Sequence, residues 1–412
     1  MTHVVTVFLR SDGRILLLRR SDAVGTYQGC WGGVSGYVEG DPTDALVDAR
    51  RELGEEVGVR DATLVRAGDP VDVVDGDHEW TVHPFLFDWN GESELAFNDE
   101  VATAEWVHPP AILAREVVPA LWDAYDAVAP TVEDVRDDET HGSAYISIRA
   151  LDVLRDAAAV ADDWESVAAV ARELRDARPS MAALANRVNR VMSEAERTPD
   201  AVCERAQAAV DDAVRADSAA AANAVDLLSG TVLTLSRSGT VTDALLRADL
   251  EHVIVAESRP AREGVGVAER LTAAGIDATL VADAAIGYTL AEREVDAAVV
   301  GADTVLADAT VVNKVGTRLL ALAATREDVP VYVVAAGDKI SPTDEFHTEF
   351  GDRVDIYDGE HDVDVLNPTF DRTPGDLVSG FVTEQGMLSA DEVAGVAGEH
   401  RRLAGWDEDA SA

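Results

Sequence analysis

Lysine is almost missing from this chain of 412 residues: of 34 basic residues only two are lysines, Lys314 and Lys339. Against 78 acidic residues this leaves a formal net charge of −44. So little positive charge excludes non-specific binding to nucleic acid, which depends on basic contacts to phosphate, and disfavours anionic membranes. The acids run along the whole length rather than gathering in one tail. That pattern suits a solvated surface at high salt, where short screening lengths limit self-repulsion. Cysteine is scarce as well. Cys30 and Cys203 make no metal-type spacing, so both read as small buried hydrophobes in a reducing compartment, with a disulfide as the minor alternative. No apolar run is long enough to span a bilayer, and "MTHVVTVFLRSDGR" lacks the core and cleavage site of a signal peptide. The expectation is a cytoplasmic protein. Hydrophobic residues make up 47%, which excludes wholesale disorder and provides cores for two or three domains.

What is present changes character along the chain. Residues 3 to about 110 read mostly as strands, with "VVTVFLR" and "RILLLRR" flanking the turn Ser11-Asp12-Gly13 as a hairpin. "TVHPFLFDW" and "ATAEWV" are further strand candidates, residues 110–130 look helical, and "TVEDVRDDETHG" reads as a polar linker. From about 141 to 228, Ala-rich amphipathic segments follow one another. Then "TVLTLS", "HVIVAES", "ATLVAD", "AAVVGAD" and "VPVYVVAA" alternate with helical stretches, which predicts a doubly wound parallel sheet. Ligands of such sheets collect at the carboxyl ends of the strands.

One helix interrupts the N-terminal strands, "DALVDARRELGEEVG". Ala45, Ala49, Leu53 and Val57 form its apolar stripe, while Glu52, Glu55 and Glu56 share another face at i, i+3 and i+4. Carboxylate oxygens are the ligands magnesium and manganese prefer. On spacing alone the cluster reads equally as an exposed acidic face or as a metal site. Together with the preceding "GGVSGYVEGD" and the closing Gly58, the helix resembles the Nudix box. The resemblance covers residues 1 to about 120 and implies that Glu52, Glu55 and Glu56 bind Mg2+ or Mn2+ while Arg51 orients them. The implied chemistry is hydrolysis of a nucleoside diphosphate linked to another group. Gly36 to Arg51 is one residue longer than the family pattern, and the upstream glutamate position falls at Pro42, beside Asp41 and near Glu39. Glu100 in "FNDE" is a further candidate ligand or base.

In the sheet region "AAVVGAD" ends a strand on Asp303, and "VVNKVGT" places Asn313 and Lys314 before a helix beginning near Thr317. An ammonium group beside helix N-terminal amides favours a bound phosphate. Arg259 and Gly264 in "ESRPAREG" and Arg178 in "ARPSM" stand near other element ends and outline an anion site. These segments, with "NPTFDRTP", resemble the superfamily of methylthioribose-1-phosphate and ribose-1,5-bisphosphate isomerases and the alpha, beta and delta subunits of initiation factor 2B. By that resemblance Asp303 is the isomerases' acid/base, and Asn313 and Lys314 are sugar or phosphate ligands. Ser236 stands where the isomerases carry a catalytic cysteine, His141 where they carry a phosphate-binding arginine, and Glu263 where the methylthioribose enzyme has glutamine. A hydroxyl is far less acidic than a thiol.

The expected fold is α/β. A Nudix α/β/α sandwich with a mixed sheet (1–125) and a linker (126–140) precede a helical subdomain (141–228), a Rossmann-like sheet (229–400) and an acidic tail (401–412). The expected function joins a Mg-dependent hydrolase to a sugar-phosphate or nucleotide-binding domain. The alternatives are an initiation-factor-like regulator with a Nudix sensor, and a ribose-1,5-bisphosphate isomerase-like enzyme. A homo-oligomer is expected, with room for an initiation-factor-like protein partner.

Overall fold

A computed structural model describes residues 2–411 except 77, 90, 92, 93 and 139. The chain forms two compact units, Met1–Thr131 with Arg155–Asp162, and Val132–Leu154 with Asp163–Ala412.

In the first unit the turn at Asp12 (φ 48°) and Gly13 (φ 73°) joins Thr2–Ser11 to Arg14–Arg20 as an antiparallel hairpin. Two successive left-handed residues give the twist a two-residue hairpin needs, and Asp-Gly adopts them readily. Thr2–Ser11 also pairs parallel with His78–Asp88 and antiparallel with Val34–Tyr37, so the eight-stranded sheet is mixed. Side chains alternate across it. Val5, Val7 and Leu9 meet Ala45, Ala49 and Leu53 of the helix Ala45–Glu56 on one face. Phe8, Ile15 and Leu17 meet Leu121, Ala124 and Tyr125 of Leu121–Asp126 on the other. This is the expected α/β/α sandwich. Only Pro109–Ile112 and Leu121–Asp126 are helical within the region read as one helix over 110–130. Pro109, Pro110 and Pro119 deny it continuous backbone donors.

The second unit opens with helices, among them Trp164–Ala177, Ala182–Glu194 and Pro199–Val225. Its seven-stranded sheet runs Ala278–Val281, Leu250–Ala256, Gly230–Leu235, Ala297–Val300, Val331–Val334, Gly380–Thr383, Gly386–Leu388. All neighbours pair parallel except the last two. In chain order this is 3-2-1-4-5-6-7, its first six strands in the arrangement of a Rossmann-like sheet. Its direction of winding reverses between Gly230–Leu235 and Ala297–Val300, which opens a crevice at their carboxyl ends. A small antiparallel sheet of Thr304–Val305, Val311–Lys314 and Phe370–Thr373 stands beside it.

Two segments differ from expectation. Within the stretch read as linker, Val132–Asp137 is a helix with Val135 buried. The acidic tail is docked: Trp406 is buried, and Arg172 bonds Asp407 at 2.9 Å. One apolar anchor, Val135, sufficed in the first and two, Leu403 and Trp406, in the second, too few amid charged residues to register as periodicity. Cys203 is buried as expected, Cys30 is only part-buried, and neither is in a disulfide.

Candidate functional site

The helix Ala45–Glu56 presents its carboxylates to the strand Val34–Tyr37. Glu52 and Glu56 are buried, whereas Glu55 is exposed. Gly36 makes room for this arrangement, because a Cβ there would lie 1.7 Å from Glu52 Oε1. The Ser35 amide donates to Glu56 Oε2 at 3.1 Å. Arg51 lies among the acids, 2.8 Å from Glu52, 3.0 Å from Glu55 and 3.1 Å from Asp48, and donates to the Tyr37 carbonyl. Asp48, which the sequence reading passed over, also accepts from the Glu39 amide and so ties the extended loop to the helix. Asp41 is spent capping the turn Pro42–Asp44.

Burial raises the Glu52 carboxyl, with Arg51 opposing. Burial, reinforced by the charges of Glu52 and Glu100, pushes Glu56 up to about 8 against the Ser35 amide. A cavity of about 380 Å³ is lined by Glu52, Glu55, Glu100, Arg20 and Arg51, with Glu56 behind. Among the described residues no three metal-binding side chains converge closely enough to hold an ion as they stand. The donor set nevertheless suits a hard divalent cation: three glutamates of one helix, two of them buried with insufficient positive charge.

In the second unit a cavity of about 840 Å³ opens at the carboxyl ends of the sheet. Ser236 follows Gly230–Leu235, and Gly301, Ala302 and Asp303 follow Ala297–Val300, so the two strand ends at the reversal point both line it. Ser236 adopts φ 65°, and its amide donates to Ser258 Oγ. Burial raises the Asp303 carboxyl, with Lys339 and Lys314 opposing. Lys339 is buried and donates to the Ala302 carbonyl at 2.7 Å. Asn313, Lys314, Arg178 and Glu263 line the same space, and so do Arg136, His141 and Arg237. Arg178 also holds the carbonyls of Arg136 and Asp138.

Arg259 and Gly264 do not line this cavity. Arg259 is exposed, and Gly264 is needed for helix–strand contact, since a Cβ there would meet the Ala256 carbonyl oxygen at 1.9 Å. Nor are the amides of the helix Thr317–Arg326 open to a phosphate. Asp371 accepts from Gly316 at 2.8 Å and from Arg318 at 3.2 Å, and so caps that end. Asp371 reaches it because its strand pairs with Val311–Lys314, a long-range pairing with no local signature. Lys339, missed as a cavity residue, had one signal: it is the second of two lysines. Among the described residues no helix is long and apolar enough to cross a membrane.

Comparison with known proteins finds two families along the chain. Residues 139–390 match the Initiation factor 2 subunit family, and residues 1–128 match the NUDIX domain. The chain is 31% identical over 308 residues to ribose 1,5-bisphosphate isomerase of Archaeoglobus fulgidus, covering 69% of this chain and 96% of that protein. Methylthioribose-1-phosphate isomerase of Gemmatimonas aurantiaca is 32% identical over 246 residues, 53% of this chain and 70% of its own length. The structure of Pyrococcus horikoshii translation initiation factor eIF-2B superposes with a TM-score of 0.55 at 27% identity, covering 62% of this chain and 94% of that one. The 5-methylthioribose 1-phosphate isomerase of the same organism shares the fold, with a TM-score of 0.53 at 20% identity over 73% of this chain and 89% of that one.

Proposed function

For a chain that belongs to the Initiation factor 2 subunit family and carries a NUDIX domain ahead of it, we propose two activities in one protein. The first unit hydrolyses the phosphoanhydride of a nucleoside diphosphate derivative. The second binds a phosphorylated sugar or nucleotide without isomerising it. The observation that carries the first activity is the gathering of Glu52, Glu55 and Glu100 on one cavity, with Glu56 buried behind them. Glu52, Glu55 and Glu56 would hold a divalent cation, which would supply Lewis-acid charge and a more acidic water. Arg51 holds Glu52 and Glu55 in place. Glu100 faces the same space as the group that accepts the proton of the attacking water. A hydrolysis screen over nucleotide sugars, dinucleotides and ADP-ribose at high salt tests this. Turnover that requires magnesium and is lost in Glu55→Gln is expected; metal-independent turnover, or none, sinks the hydrolase reading.

In the second unit Ser236 occupies the strand end where the resemblance calls for a thiol, so this reading makes the cavity a sensor or receiver. Assembly into a homo-oligomer belongs to the same proposal, and light scattering at high salt measures it. One observation favours isomerisation instead: the chain matches 96% of the length of a ribose 1,5-bisphosphate isomerase, and Asp303 lines the cavity at the strand end. Conversion of ribose 1,5-bisphosphate by the wild type would decide for that second reading.

A further inference from the structure

A third cavity, of about 420 Å³, lies in the second unit against the helices Ala182–Glu194 and Pro199–Val225. Its floor follows from the sequence of the longer helix. Arg205, Ala209, Asp212, Ala216 and Ala219 recur at i, i+4, i+7, i+11 and i+14, so they share one face. The alanines do not reach out from that face, which leaves a shallow floor between longer charged side chains. Arg187 and Arg190 of the shorter helix line the same space. Among the described residues no aromatic side chain lines it, and none of its residues lines the cavity that holds Asp303.

The charge balance differs from that of the other two cavities. In both of those carboxylates outnumber cations, whereas here Arg187, Arg190, Arg205 and Arg215 meet Glu194, Asp212, Asp338 and Glu384. Glu384 is committed to the backbone, accepting from the Gly337 amide at 2.8 Å. The other three acids are each shared by two arginines. Asp338 accepts from Arg187 and from Arg190 at 3.1 Å. Glu194 lies 3.8 Å from Arg190 and 2.8 Å from Arg205, and Asp212 lies 3.4 Å from Arg205 and 2.5 Å from Arg215. Sharing leaves donors of the guanidinium forks over. Arg187 is only 2% exposed, yet its Nη2 makes no hydrogen bond and approaches Asp217 only to 4.0 Å. Arg190 approaches Glu399 only to 3.6 Å. A buried charged donor without an acceptor is costly, so the position calls for one.

The geometry points to a second anion site, for a compact multivalent oxyanion of the phosphate type held among Arg187, Arg190, Arg205 and Arg215. A monocarboxylate brings no more charge than the shared acids already supply, so it gains nothing by entering. A pyrophosphate exceeds them, and its oxygens match the planar forks of arginine two at a time. The lining offers a nucleobase nothing to stack on, which sets this ligand class apart from nucleotides. The site stands independently of the functions proposed for the other two cavities.

The test is calorimetric titration of the full chain with inorganic pyrophosphate in the absence of magnesium. It is run in the wild type and in Lys314→Ala, where the cavity beside Asp303 has lost its ammonium. Binding persists in Lys314→Ala. Adding Arg205→Gln and Arg215→Gln to that variant leaves buried Arg187 in place and weakens binding about tenfold or more. Asp212→Asn removes the carboxylate that competes for Arg205 and Arg215, and it tightens binding several-fold. A purely structural ladder of ion pairs would answer Asp212→Asn with a lower melting temperature and no gain in affinity. Acetate at the same concentration gives no measurable heat of binding. Absence of pyrophosphate binding in Lys314→Ala overturns the site, and so does binding that the two arginine substitutions leave unchanged. Acetate binding as tight as pyrophosphate overturns the ligand class.

Discussion

The Lys314 ammonium lies 2.9 Å from Glu263 Oε1, with both side chains largely buried at the wall of the large cavity. One of the two lysines in an acid-rich chain is thus held by a carboxylate and aimed at the space beside Asp303. An ammonium is a compact point charge with three rotatable donors, unlike the planar fork of arginine. Lys314→Ala is expected to abolish thermal stabilisation by ribose 1,5-bisphosphate. Glu263→Gln, which releases the ammonium from its partner, is expected to tighten binding several-fold. Equal stabilisation of wild type and Lys314→Ala would remove Lys314 from the phosphate site.

Gly36 leaves no room for a methyl beside the glutamates. A Cβ there would collide with Glu52 at 1.7 Å, so Gly36→Ala must displace the carboxylate or the strand. Overpacking of this kind costs about 1–3 kcal/mol. The expected outcome is a folded protein with lowered thermal stability and magnesium-dependent hydrolysis reduced at least as far as in Glu52→Gln. Retention of full turnover would show that Glu52 does not need its observed position.

His400 sets an acid limit on stability. Its Nδ1 lies 2.7 Å from the Ile340 carbonyl oxygen and its Nε2 lies 3.3 Å from Arg190 Nη2, an arrangement that suits a neutral ring. Burial lowers its pKa below the ordinary 6.5, opposed by the Ile340 carbonyl and Asp338. The unfolded chain therefore takes up a proton first, and this contribution is complete above about pH 6.5 and declines as pH falls toward the lowered value. The slope is at most about 1.4 kcal/mol per pH unit. Because Glu56, raised to about 8, slopes the opposite way in the same window, His400 is read from the difference: the stability advantage of the wild type over His400→Gln in denaturant unfolding should shrink as pH falls from 8 to 5. Identical profiles would assign the acid sensitivity elsewhere.

Trp406 anchors the C-terminal segment. Its Nε1 donates to Asn189 Oδ1 at 2.8 Å, and the guanidiniums of Arg172 and Arg175 each lie 5.8 Å from its ring centre. Trp406→Ala is expected to destabilise the protein by about 3–5 kcal/mol, the usual range for removing a buried tryptophan. Asp407→Asn is expected to cost far less, because its two arginine partners are about one-third exposed or slightly less. Thermal unfolding compares the two. A small effect of Trp406→Ala would show that the segment adds little.

Much of both sites was legible because the chemistry sits in short contiguous runs. The i, i+3, i+4 glutamates share a helix face by geometry alone, and the buried stripe Ala45, Ala49, Leu53, Val57 follows from the same period. Each β-branched run read as a strand is one, and the Asp12-Gly13 turn is dictated by its own two residues. Expectation failed wherever a distant partner decided the outcome. Asp371 occupies amides that looked open to phosphate, 55 positions away along the chain. Asp48 takes Arg51 and the Glu39 amide together, and Arg259 faces solvent though it follows a strand.

The residue pattern by itself determined the element types, the carboxylate face and the retention of two lysines, since periodicity and turn chemistry act within a few residues. Tertiary structure alone decided that Ser236 and Asp303 line one crevice. It likewise decided which cations are already paired. Those relations depend on strand order and long-range pairing, which side-chain pattern along a single segment does not encode.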